Sequence, residues 1–151
     1  MKQNNEMSES PWELTTDLSR MDRDVIYHFI KNESYWGKHR TREQMDDAID
    51  HSRWVFGLYD RATNAQIGFA RVISDGITFG YLTDVFILSS YQGKGLGRYL
   101  LEAVMNHEGV AQVGRMVLLT EDPDFYTSYG FSVHRPEDPM ELMQRKLPGY
   151  L

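Results

Sequence analysis

Residues 81–98 read YLTDVFILSSYQGKGLGR. A mostly apolar stretch, Tyr81 to Leu88, runs into a loop with glycines at 93, 95 and 97, and helical periodicity begins directly behind it. Glycine lets backbone N–H groups approach a ligand without a Cβ in the way. The unsatisfied N–H groups of a helix start then face the same point. Together they suit an anion such as a phosphate or pyrophosphate, and Lys94 and Arg98 add positive charge at the rim. The plainer reading is a tight strand-to-helix turn. The common nucleotide motifs do not fit. A dinucleotide loop needs G-x-G-x-x-G, but here the order is G-x-G-x-G followed by Arg98. A P-loop needs Ser or Thr after its Gly-Lys pair, but Gly95 follows Lys94.

Working outward, Trp54–Tyr59 and Gln66–Ser74 read as strands joined by a turn at 60–64. In the second, Ile67, Phe69 and Arg71 alternate with Gly68, Ala70 and Val72. Asp75-Gly76 predicts a hairpin into a long central strand, Ile77–Leu88. Upstream, Pro11–Thr15 reads as a first strand. Val25, Ile26, Phe29 and Ile30 give Met21–Lys31 helical spacing, with Asp22 or Asp24 in its first turn. Thr41 and Gln44 match a capping box for a helix to Asp50. Behind the glycine loop, Leu96, Leu100 and Val104, flanked by Leu101 and Met105, predict a helix to about His107. Met116–Thr120 reads as a buried strand. Asp122 and Pro123 predict the cap and first residue of a short helix ended by Gly130. Phe131–His134 and Met140–Lys146 read as closing strands. The order β-α-α-β-β-β-α-β-α-β-β implies an α/β fold, a mixed sheet with helices on both faces. One domain is expected over residues 11–151, with Met1–Ser10 frayed or disordered.

The chain has 151 residues, 41% of them hydrophobic, enough for a real core. It has no cysteine, which excludes disulfides, thiolate metal sites and a cysteine nucleophile. Histidines 28, 39, 51, 107 and 134 lack close ligand spacing, so no metal is expected. The net charge of -6 and the absence of any Lys/Arg run argue against nucleic acid. That charge either steers cationic substrates mildly or simply keeps the protein soluble. No stretch has the ~18 apolar residues of a membrane span, and residues 1–10 lack the apolar region of a secretory signal. A cytoplasmic protein is expected.

Gln92-x-x-Gly95-x-Gly97 resembles the Q/R-x-x-G-x-G/A signature of the GNAT acetyltransferase superfamily. It follows an apolar strand end, Val85-Phe86-Ile87, at the usual offset. About one strand later, Asp124-Phe125-Tyr126-Thr127-Ser128-Tyr129-Gly130-Phe131 is similar to the family's F-Y-x-x-x-G-F segment. The resemblance covers roughly residues 12–147 and implies a mostly antiparallel central sheet. It implies that loop amides bind the pyrophosphate of acetyl-CoA, with contacts from Gln92, Gly93, Lys94, Gly95, Leu96, Gly97 and Arg98. It implies that the preceding strand splays from its neighbour and pairs, through Val85, Phe86 and Ile87, with the pantetheine arm. It also implies that Tyr126 lies near the CoA sulfur. Many relatives pair, so a homodimer is an expectation too.

Amide formation from a thioester requires a neutral amine, and deprotonating a lysine-like amine at pH 7 costs roughly 4–5 kcal/mol. It also requires a donor to the oxyanion, which a backbone N–H near Val85–Ile87 would supply, and an acid for the departing thiolate. Tyr126 is the candidate acid, or else a packing tyrosine; Tyr129 is left to packing or to the rim. Asp84 interrupts an apolar strand, which is costly unless the carboxylate is paired or functional. It is the candidate base or water-orienting group, or else a salt bridge in the sheet. Related acetyltransferases place a Glu or His about three residues earlier, where this chain has Tyr81 and Thr83, so a water chain is the other candidate. Tyr35 and Trp36, between the first two helices, line the acceptor pocket in the family; they either stack on a substrate or cation or plug the core. The expected activity is acetyl-CoA-dependent N-acetylation of a primary amine, a small molecule rather than a protein. The alternatives are a non-catalytic acyl-CoA-binding module or sensor, and a nucleotide-binding oxidoreductase, which the broken fingerprint argues against.

Overall fold

The computed structural model describes residues 10–135 and 142–150. Five strands form one sheet in chain order: β1 (Trp12–Thr15), β2 (Trp54–Asp60), β3 (Ala65–Ser74), β4 (Gly80–Ile87) and β5 (Met116–Val117). The first four are antiparallel neighbours, and β5 lies parallel to β4. The parallel step needs a crossover, which α3 (Leu96–Asn106) and α4 (Glu108–Ala111) supply. Helices α1 (Arg23–Asn32) and α2 (Arg42–Asp50) precede β2, and α5 (Pro123–Thr127) follows β5.

Helices cover both faces of the sheet, so its central strands carry apolar residues on both sides. On one face Leu96, Leu100, Leu101 and Val104 of α3 pack on Phe56, Leu58, Val72 and Leu82. On the other, Ile26, Phe29 and Ile30 of α1 and Met45 and Ile49 of α2 pack on Val55, Phe69 and Phe86. Phe29 and Phe86 stack with ring centroids 4.0 Å apart. Local signals set the helix starts. Thr41 and Gln44 make the reciprocal capping box, and Asp22 accepts the N–H of Val25 at 3.1 Å.

Several sequence expectations are corrected. The hairpin strand starts at Gly80, not Ile77. The Asp75 carboxylate accepts the N–H groups of Ile77 and Thr78, each at 2.8 Å, and so holds that segment in a turn. The strand expected over 116–120 stops at Val117. Asp122 stands at the N-cap of α5 without a side-chain bond to it. Neither residues 131–134 nor 142–146 form a strand; Met140 and Glu141 lie outside the described residues, as do residues 1–9. The short helix α4 is an addition to the expected order.

β4 is irregular along both edges. On the β5 side, pairing is limited to Gly80 with Met116 and Tyr81 with Val117, and the strands then part. On the β3 side, Phe69 faces Phe86 and Arg71 faces Thr83, so Asp84 and Val85 together oppose Ala70. This is a β-bulge, and Asp84 takes φ 54° within it.

Candidate active site

A cleft of about 780 Å³ opens where β4 and β5 part. Val85 and Asp84 of β4, Leu118 and Thr120 beyond β5, and Tyr126 of α5 line it, and Tyr35 and Trp36 close one side. The fold therefore gathers the β4 segment, Tyr126 and the Tyr35–Trp36 pair around one space. Val85 is half-buried and lines the cleft, while the side chains of Phe86 and Ile87 enter the two opposite cores.

The glycine loop continues from the end of β4. Gly93 and Gly95 take φ 81° and 76°, the left-handed region that suits glycine. A Cβ at either would meet nothing within 4 Å, so the space above them is open. The first bond into α3 runs from the Tyr99 N–H to the Gly95 carbonyl at 3.1 Å. Among the described residues, the N–H groups of residues 93–98 have no acceptor. They form an anion cradle at the start of an 11-residue helix.

Several loop side chains are committed within the protein. Gln92 donates to the Ile87 carbonyl at 3.0 Å and ties the loop to β4. The Lys94 ammonium lies over the rings of Tyr91 and Trp12, 5.4 and 5.9 Å from their centroids. Leu96 is buried in the α3 core, and Arg98 is exposed. Leu96 thus faces the cradle through its backbone only, and the backbone N–H of Gln92 is spent on the Ser89 carbonyl at 3.4 Å.

Asp84 is fully buried and wholly engaged. Arg40 donates to both its oxygens at 2.8 and 2.7 Å, Arg71 donates to Oδ2 at 2.7 Å, and the Trp36 indole N–H donates to Oδ1 at 2.8 Å. Burial alone would raise its pKa, but the charges of Arg71 and Arg40 outweigh that and hold it below the usual carboxylate range. A carboxylate so held is a poor proton acceptor. Sequence reading assigned no role to Arg40 or Arg71. Yet Arg71 interrupts one apolar strand as Asp84 interrupts the next, and that pair of opposite charges was the available signal. Trp36 is half-buried against Asp84 and Phe29, whereas Tyr35 is 57% exposed and meets Trp36 edge-on at 5.1 Å.

Tyr126 is half-buried, packed edge-on against Phe125 and Phe131. Burial, then the neighbouring Tyr35 and Asp122, push its pKa above the ordinary phenol value. Its hydroxyl has no hydrogen-bond partner among the described residues. Among those residues no cluster of three His, Asp or Glu side chains is arranged to hold a metal ion, and no helix is long and apolar enough to cross a membrane.

The family model for the GNAT acetyltransferase domain matches residues 51–133, which include the bulge, the glycine loop and Tyr126. A candidate acetyltransferase of Gibberella zeae is 31% identical over 149 residues, spanning 85% of this chain and 83% of that protein. The crystal structure of a candidate GNAT acetyltransferase from Xanthomonas campestris pv. campestris is 37% identical with a TM-score of 0.82, over 91% of this chain and 94% of that one. Serotonin N-acetyltransferase 2, chloroplastic, of Oryza sativa subsp. japonica is 31% identical over 99 residues, 62% of this chain and 49% of that protein. With the parted strands and the glycine cradle, these matches establish that the chain belongs to the GNAT family and is an acetyltransferase.

Proposed function

We propose that this acetyltransferase moves the acetyl group of acetyl-CoA to the primary amine of a small molecule, by direct attack within a ternary complex. One observation carries the reading. The unpaired edge of β4 leads from the cleft at Val85 straight to the acceptor-free amides of residues 93–98. An extended ligand with an amide-bearing arm and a pyrophosphate fits that path. The arm lies along Val85–Ile87, and the pyrophosphate sits on the N–H groups from Gly93 to Arg98 at the positive end of α3. The partial match to a plant serotonin N-acetyltransferase supports an amine acceptor.

The amine nitrogen attacks the thioester carbonyl carbon, the C–N bond forms, and the oxyanion is held by a backbone N–H of the bulged strand. The C–S bond then breaks, and the Tyr126 hydroxyl gives its proton to the departing sulfur. Tyr126 regains a proton from solvent, and the amine's surplus proton leaves to water. Asp84 is a positioning residue in this scheme. Its three donors pin the bulge that aims Val85, and its lowered pKa disqualifies it as the base. Tyr35 and Trp36 form the acceptor wall.

Free CoA release from acetyl-CoA, measured against amino acids, polyamines, arylalkylamines, aminoglycosides and lysine peptides, tests the reading. Release that depends on, and saturates with, a small amine is expected. A protein that binds CoA but releases none with any acceptor is instead the acyl-CoA-binding module. Absence of CoA binding removes the reading altogether.

A further inference from the structure

The chain carries a net charge of -6, but its cleft has the opposite sign. Arg40, Arg145 and Lys146 line it, against Asp84 and the exposed Glu121. Arg71 stands directly behind, bonded to Asp84. Arg40 and Arg71 are both largely buried, their side chains 12% and 8% exposed, and they share this single carboxylate. Among the described residues no other carboxylate pairs with either. Among the described residues, one positive charge is therefore left without a counterion at the floor of the cleft. Burying a guanidinium in that way is costly unless an anion completes it.

We propose that the acceptor carries, besides its amine, an anionic group (a carboxylate or a phosphate) that docks at Arg40, with Arg145 and Lys146 at the rim. This rests on the cleft being the acceptor site of the acetyltransferase. Guanidinium matches both anions geometrically and stays charged at any working pH. The same charge excess serves the chemistry. Neighbouring cations favour the neutral form of a bound amine, which is the form that attacks, and the buried carboxylate of Asp84 is not free to produce it. A plain alkylammonium would be repelled from such a floor. An acidic acceptor is held by its anion while its amine is driven toward neutrality.

Calorimetric titration of matched pairs into the CoA-bound enzyme tests this. L-tyrosine is compared with tyramine, and glucosamine 6-phosphate with glucosamine. At low salt, at least one acidic member binds about tenfold or more tightly than its partner, and added salt narrows the gap. The carboxylate and phosphate arms identify the anion. Arg40→Gln leaves a charge-balanced Arg71–Asp84 pair and brings the ratio toward one. If that variant does not fold, Arg145→Gln with Lys146→Gln, on exposed positions, narrows the ratio severalfold by the same electrostatic route. Equal or tighter binding of tyramine and glucosamine, a preference unchanged in these variants, or no binding by either pair overturns the proposal. Titrating CoA in the same samples separates the two readings. CoA bound without acidic preference defeats the acceptor class alone, and loss of CoA binding defeats the acetyl-CoA reading beneath it.

Discussion

Arg40 Nη1 lies 2.7 Å from Asp84 Oδ2 and 2.8 Å from Oδ1, although 44 residues separate them. The bond joins the segment between α1 and α2 to the bulge of β4. One wall of the cleft is thereby fixed to its floor, and Trp36 reaches the same carboxylate from the same segment.

Asp84→Asn leaves two buried guanidiniums without a counterion, and we expect it to cost about 3–5 kcal/mol, read from urea unfolding at pH 7. The native carboxylate's pKa is lowered, so its stabilisation is complete above its unfolded value of about 4 and fades as pH falls through the lower folded value. The variant therefore shows a flatter acid limb than the native protein. An Asp84→Asn protein as stable as the parent would remove the carboxylate from its structural role.

Gly95→Ala separates folding from binding. The residue sits at φ 76°, so alanine there costs about 1 kcal/mol of backbone strain. The added methyl meets no protein atom within 4 Å; it enters the space above the free amides. Thermal unfolding should shift by a few degrees only, while the Kd for CoA rises about tenfold or more. Unchanged CoA affinity would place the pyrophosphate elsewhere.

Tyr126→Phe keeps the ring contacts to Phe125 and Phe131 and removes only the hydroxyl. With the best acceptor from the amine panel, kcat should fall about 10- to 100-fold, while CoA affinity stays within about twofold. An unaltered kcat would return Tyr126 to a packing role.

The pH dependence of turnover is tied to the same residue. Burial raises the Tyr126 pKa above its ordinary value of about 10, so the acid stays protonated across the working range. At sub-saturating acceptor, the rate should climb as the amine loses its proton and show no descending limb below about pH 10. A fall beginning near pH 8 would identify a different proton donor.

Parts of the fold and of the cleft are legible from short stretches of chain. The Thr41–Gln44 capping box, the period of α3 and the strand–glycine loop–helix unit each depend on residues close in sequence, and each forms where expected. Tyr126, singled out by motif, and the Tyr35–Trp36 pair, singled out by its place between the first two helices, do line one cleft. The end of β5 and the start of β4 depart from expectation because non-local pairing and the Asp75 carboxylate decide them, and apolar content reports neither.

By itself the sequence determined the order of the elements from β1 to α5 apart from α4, the place of the glycine loop and the family, because local sterics and hydrogen bonding act over a few residues. Only the tertiary structure decided the fate of Asp84 and the sign of the cleft. Net charge is a sum over the whole chain, whereas a binding site responds to charges within a few ångströms. Folding brings Arg40 and Arg71 onto one buried carboxylate, and so builds a cationic floor into an acidic protein.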